Sequence, residues 1–246
     1  MILRRILLSI GLSTVTGPLM FAQAATEPPK LYTGSFGGGL AITSGNTDTK
    51  NFNVALNVVR DPKTKNLVKA TAAYLRGSNS KVTNLDRSAF NLRDEYTLSG
   101  RTFVFGQMDY LRDKFKEVIF FWSPAAGIGY KLANTDRTKF EVDGGAGGVL
   151  EKNPGIVSKK SGSVLVSESF RQKLSSTATI TQSESTIWKT NDFSDSLTNF
   201  SVGLTTSIAK QLELKLEFVD SFKNKPASAL VKKNDTAFIT SVIVKF

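Results

Sequence analysis

The sequence predicts an all-β chain closed into a single antiparallel, up-and-down transmembrane β-barrel of about 12 strands. Three observations carry this prediction. Residues 235–246 place Phe238, Thr240, Val242, Val244 and Phe246 on one face and Asp235, Ala237, Ile239, Ser241, Ile243 and Lys245 on the other, because a strand alternates faces with period two. Alternating segments of this kind recur along the chain between short polar connections. The N-terminus reads as an export signal: residues 1–5 are basic, residues 6–21 are mostly apolar with Gly17-Pro18 as a helix breaker, and Ala22-Gln23-Ala24 supplies a small-x-small cleavage site.

The expected organisation is a signal peptide over 1–24, cut after Ala24, a short leader over 25–31 and a barrel over 32–246 in the outer membrane. An uncleaved anchor is the bland alternative. The apolar stretch is too short and too interrupted by Ser, Thr, Gly and Pro to span a bilayer. No Cys follows it, so a lipoprotein anchor is excluded.

Strand candidates run over 32–44, 51–60, 67–78, 85–99, 102–112, 118–133, 138–151, 162–173, 178–189, 196–208, 212–221 and 235–246. In the second, Phe52, Val54, Leu56 and Val58 alternate with Asn51, Asn53, Ala55 and Asn57. The fourth keeps Phe90, Leu92, Tyr96 and Leu98 in step but sets Asp94 among them. In the seventh, Phe140 and Val142 alternate with Glu141 and Asp143 before a glycine run. The ninth lacks a clear apolar face, with Gln182 and Glu184 in step with Ile180. The tenth and eleventh alternate cleanly, the latter as Leu212, Leu214, Leu216 and Phe218 against Glu213, Lys215 and Glu217. Several boundaries are soft, which leaves 10 or 14 strands open as alternative counts.

With both barrel termini in the periplasm, the connections on that side are 61–66, 100–101, 134–137, 174–177 and 209–211. The opposite side receives 45–50, 79–84, 113–117, 152–161, 190–195 and 222–234, the two longest among them, as expected for outer loops. Tyr32, Tyr96, Tyr130 and Phe246 then sit near the periplasmic ends of strands, and Tyr74, Tyr110, Trp122 and Trp188 near the outer ends, the pattern of interface girdles. A soluble sandwich would show the same periodicity. The signal segment, the terminal Phe246 and the even strand count favour the membrane barrel.

The chain has 32 Lys and Arg against 21 Asp and Glu, a net charge of +11, with no Cys and no His. Nucleic acid is set aside as a partner because the basic residues are dispersed and the chain is exported. The charge fits loops and rims facing anionic lipid head groups. Expected partners are outer-membrane lipid, lipopolysaccharide and the outer-membrane assembly machinery, the last reading Phe238, Val242, Val244 and Phe246. The sequence leaves the oligomeric state open.

Residues 34–49, GSFGGGLAITSGNTDT, resemble the opening hairpin of the salt-induced outer-membrane protein family, a domain-of-unknown-function group. Residues 101–106, 127–132 with 136–138, and 169–175 are similar to it as well, so the resemblance covers about 32–246. It implies an outer-membrane β-barrel with no established transport or structural role and no catalytic residues to carry over. The turn SGNTD needs no ligand to explain it, since Gly and Asn tolerate positive φ and Asp and Thr cap tight turns.

Outer-membrane lipases and proteases use a His base, and zinc sites use His or Cys; neither residue is present. Residues 144–148, GGAGG, lack the Lys-Ser/Thr ending of a phosphate loop. We therefore expect no catalytic residues, no metal and no cofactor. Two readings remain. In the first the barrel is a narrow pore or solute-binding channel, linked to salt or osmotic stress, lined by Lys69, Arg93, Glu95, Lys131, Glu141, Asp143, Glu213, Lys215 and Glu217. In the second those side chains pair with one another and plug a structural, stress-responsive barrel. A soluble periplasmic β-protein is the weaker third.

Overall fold

The computed structural model describes residues 30–44, 49–79 and 82–246. The expected signal segment with Ala22 and Ala24, most of the leader and the turn residues 45–48 lie outside the described residues. Twelve antiparallel strands form one closed barrel in chain order: β1 (Tyr32–Ser44), β2 (Thr49–Arg60), β3 (Asn66–Asn79), β4 (Val82–Thr97), β5 (Thr102–Asp113), β6 (Val118–Asn134), β7 (Thr138–Lys152), β8 (Lys159–Lys173), β9 (Ala178–Lys189), β10 (Asp192–Ala209), β11 (Leu212–Lys223) and β12 (Asn234–Lys245). The sequence-predicted count of about 12 therefore holds, and closure leaves no sheet edge unpaired.

The seam joins β1 to β12 from Ser35 opposite Lys245 to Ser44 opposite Thr236. Phe246 extends it: its N–H donates to the Gly34 carbonyl at 3.1 Å and its carbonyl accepts from the Gly34 N–H at 3.2 Å. The Phe246 ring lies where a Cβ on Gly34 would stand, 2.4 Å from that point. Only glycine lets the last side chain seat against the first strand.

The period-two pattern sorts side chains as a membrane barrel requires. Phe36, Phe52, Leu56, Phe90, Leu92, Ile128, Val166, Leu204, Phe218, Phe238, Val242 and Val244 are all exposed on the outer face. On the inner face, Phe103, Phe105, Phe121, Val149, Leu165, Ile187 and Leu197 form a buried cluster along β5 to β10. Bulges adjust this alternation: a register shift between Lys131 and Ala133 accompanies the exposure of Leu132, and one between Ser207 and Ala209 that of Ile208.

Strand boundaries depart from expectation mainly at the end away from the barrel termini. β4, β8 and β10 begin at Val82, Lys159 and Asp192, several residues before the predicted starts. The reason is backbone pairing that continues where hydrophobic alternation has stopped: Lys159 and Lys160 are rungs to Glu151 and Leu150. We call this the loop end, since it carries the longest connection, 224–233. Turns at the terminal end are short and built from side-chain caps. Ser175 Oγ accepts from the N–H groups of Thr177 and Ala178 at 3.2 and 3.0 Å.

Asp94 does face outward beside Leu92 and Tyr96, near the terminal end of β4, where Asn66 donates to it at 2.5 Å. A polar neighbour at the barrel rim accounts for this misfit. The outward Gln182 and Glu184 of β9 have no such position, since they stand in the middle of their strand.

Candidate functional site in the barrel interior

Strand parity decides which side chains point inward. Lys69, Arg93, Glu95, Lys131, Glu141, Asp143, Glu213, Lys215 and Glu217 all occupy the face opposite the exposed apolar one. The structure draws them into separate clusters instead of one ring.

The central cluster hangs on Arg93 of β4. Its Nε donates to Glu95 at 2.7 Å, one Nη to Gln107 at 2.6 Å and the other to Asp143 on β7 at 2.8 Å. Lys69 adds a second ion pair to Glu95 at 2.8 Å, and Ser167 donates to Asp143 at 2.6 Å. Beneath the guanidinium lies the Phe105 ring, with 3.9 Å between Cζ and centroid. Phe103, fully buried, is flanked by Arg93 and by Lys131 Nζ at 5.5 Å. Inward-facing glycines make room for these rings. A Cβ at Gly129 would come within 2.2 Å of Phe103, and one at Gly127 within 2.8 Å of Phe105. The wall is thus layered: bare backbone, then aromatic rings, then a cation held by carboxylates. Asp109, one rung on, is held by the amides of Asn91 and Gln107, each at 2.7 Å.

Glu213, Lys215 and Glu217 of β11 pair locally: Lys215 with Glu217 at 2.7 Å, and Glu213 with Lys245 of β12 at 2.6 Å. Lys131 and Glu141 are rung partners on β6 and β7. Between the charged groups and the apolar cluster the inner wall also carries small polar side chains. Ser183 and Ser201 meet at 3.0 Å, Ser221 donates to Asn199 at 3.0 Å, and Asn57 to Ser35 at 3.4 Å.

The loop end is different, and sequence reasoning missed it. Glu151, Lys189, Asp195 and Lys223, from β7, β9, β10 and β11, form a buried quartet with contacts of 2.6, 2.6, 2.7 and 3.3 Å. Glu151 is only 4% exposed. Charges this buried persist only when paired, and removing one partner costs about 3–5 kcal/mol. From the β5–β6 connection, Lys116 reaches across the opening to β11 and β12. Its Nζ donates to the Ser221 carbonyl at 3.0 Å and pairs with Asp235 at 3.4 Å. In a barrel of 12 strands these elements stand on opposite sides, so Lys116 bridges the mouth. Asp113 Oδ1 fixes the turn by accepting from the N–H groups of Phe115 and Lys116, and Glu117 follows at a φ of 57°. Burial, then the nearby Arg87, push Lys116 below the usual lysine range against the pull of Asp235 and Asp113. Phe121, Val118, Leu111 and Leu197 fill the space around it, with Pro226 and Val231 from the long connection.

One signal for the quartet was available. Glu151 and Lys189 continue the inward parity of Val149 and Ile187. Asp195 and Lys223 fell in segments expected to be connections. Both carboxylates of the quartet are engaged by lysines, so none stands ready to hold a metal.

Comparisons place this geometry among known barrels. The family model described as protein of unknown function, DUF481, matches residues 37–246. No curated protein matches the chain. Among solved structures, the NanC porin superposes with a TM-score of 0.58 at 10% identity, covering 87% of this chain and 100% of that one. An outer membrane channel from Pseudomonas putida F1 superposes at 0.55 and 10% identity, covering 89% and 97%. The translocator domain of the autotransporter NalP from Neisseria meningitidis does so at 0.53 and 10% identity, covering 89% and 90%. At such identities the likeness concerns the fold.

Proposed function

This chain belongs to the DUF481 family of proteins of unknown function, and from its geometry we propose that it is an exported outer-membrane barrel forming a narrow, non-enzymatic channel for small polar solutes. The observation that carries the reading is an interior that bears ionic and hydroxyl side chains beside its apolar cluster, enclosed by an apolar exposed exterior and narrowed at one end by buried ion pairs. Exposed apolar residues around the wall suit a hydrocarbon environment. The short turns would face the periplasm and the 224–233 connection the outside. With neither His nor Cys in the chain, the inward carboxylates and cations serve as mutually neutralising wall groups. Inward charges of both signs favour weak charge selectivity. A link to salt or osmotic stress rests on the family resemblance.

In this reading the quartet and Lys116 are the constriction, and the arrangement described is the closed one. Planar-bilayer recordings test it. The wild type is expected to give small or rare conductance steps, and Lys116→Ala combined with Lys223→Ala larger or more frequent ones. If neither conducts at any voltage, the channel reading fails.

The buried quartet itself favours a second reading, a structural barrel plugged by its own side chains. That reading requires both proteins to be silent and Lys215→Ala and Glu213→Ala to lower thermal stability. Release of the protein from envelopes by high salt without detergent would remove both readings and leave a soluble periplasmic one.

A further inference from the structure

On the outer face, Glu168 of β8 and Glu184 of β9 are direct rung partners, and Gln182 donates its side-chain amide to Glu168. Their parity matches exposed Val166 and is opposite to buried Leu165 and Ile187, so all three point away from the interior. Their depth is central. Glu184 stands six residues from the terminal-end start of β9 at Ala178, as Phe218 stands six from Leu212 on β11. Trp188 and Ile180 flank Glu184 on the same face. Next to the pair, Thr186 and Thr198 join hydroxyls at 3.0 Å, extending the polar strip to β10.

Carboxyl groups at mid-depth on a lipid-facing wall are costly unless other protein covers and hydrogen-bonds them. Two acids set directly opposite on one rung add mutual repulsion. Among the described residues, the outward bases Arg60, Arg76, Arg112, Lys152 and Lys160 stand near strand ends, so no base of another copy reaches this depth. What does match is the patch itself. A carboxyl accepts, and an amide and a hydroxyl each both donate and accept. A two-fold axis along the bilayer normal brings every group to the same group's own depth on the partner.

We propose that the outer face of β8 and β9 is the surface through which two copies of this chain pair in the membrane. The inference rests on the protein lying in a bilayer but not on whether its interior conducts.

The chain has no cysteine, so single introduced cysteines report proximity without background. In full-length protein in native membranes, Val166→Cys is expected to form a disulfide-linked dimer on oxidation, and Leu216→Cys, on the exposed face of β11, is not. In mild detergent the wild type should have twice the mass of one chain, and Glu168→Leu with Glu184→Leu the mass of one. Heat-modifiable migration on gels shows whether that variant has folded. Should it fail to fold, Glu184→Gln, which keeps an acceptor oxygen at the same place, must still yield the dimer. Wild type at single-chain mass with no Val166→Cys product overturns the proposal. So do equal cross-linking from Leu216→Cys, or a product containing a different protein.

Discussion

Arg93 Cζ lies 3.9 Å from the centroid of the Phe105 ring while its three nitrogens bind Glu95, Gln107 and Asp143. One guanidinium therefore ties β4 to β5 and β7 and shields an aromatic ring from the interior. Arg does both tasks because it is planar and presents donors as a fork.

Arg93→Ala should lower stability by about 3 kcal/mol, since it strands carboxylates that are nearly buried. Arg93→Lys should recover only part of that, having one point charge for three directed bonds. Thermal melts of detergent-solubilised barrel check both, and equal melting of Arg93→Lys and wild type would contradict the planar role.

Gly129→Ala should destabilise by about 1–3 kcal/mol through overpacking, because Phe103 is fully buried and its ring occupies the Cβ position. The clash is specific, so Gly129→Ala combined with Phe103→Leu should cost less than the two changes summed. Denaturant titrations of the double-mutant cycle measure this, and simple additivity would rule out the direct contact.

The Lys116 strap predicts a pH dependence. Burial holds this lysine below its ordinary value of 10.5. Between the lowered value and 10.5 the undocked or unfolded chain binds more protons than the docked one, so docking gains as pH rises through that window. Relative to Lys116→Met, wild type should gain in melting temperature from pH ~7 to pH ~10. A gap that is constant or moves the other way would show that the charge of Lys116 is not felt in the mouth.

We propose that Phe246, with Phe238, Val242 and Val244, is read by the outer-membrane assembly machinery. Deleting Phe246 should then lower outer-membrane yield more than it lowers the melting temperature of protein refolded in detergent. Equal losses would reduce the residue to its packing on Gly34.

Much of the wall was legible in the sequence because period two is local. Leu212, Leu214, Leu216 and Phe218 declare their face without knowledge of any partner. The alternation stops being readable where both faces are polar, which is why β8 and β10 begin earlier than expected. Which charges meet was not legible. Asp143 is 50 residues from Arg93, and Lys116 is 105 from Ser221. Those pairings follow from closure and register, which emerge only once all strands are in place. The odd parity of Glu184 was visible, but its opposition to Glu168 needed the β8–β9 register.

The Gly34–Phe246 seam has a kinetic consequence. Every other pairing joins strands consecutive in sequence, but the β1–β12 seam joins the two ends of the barrel, so it closes the longest loop in the chain and is expected to form last. Until then β1 and β12 are open edges able to pair with any strand they meet. Refolding should therefore show one slow phase, sensitive to Gly34 and Phe246, that limits the yield of barrel over aggregate at high protein concentration.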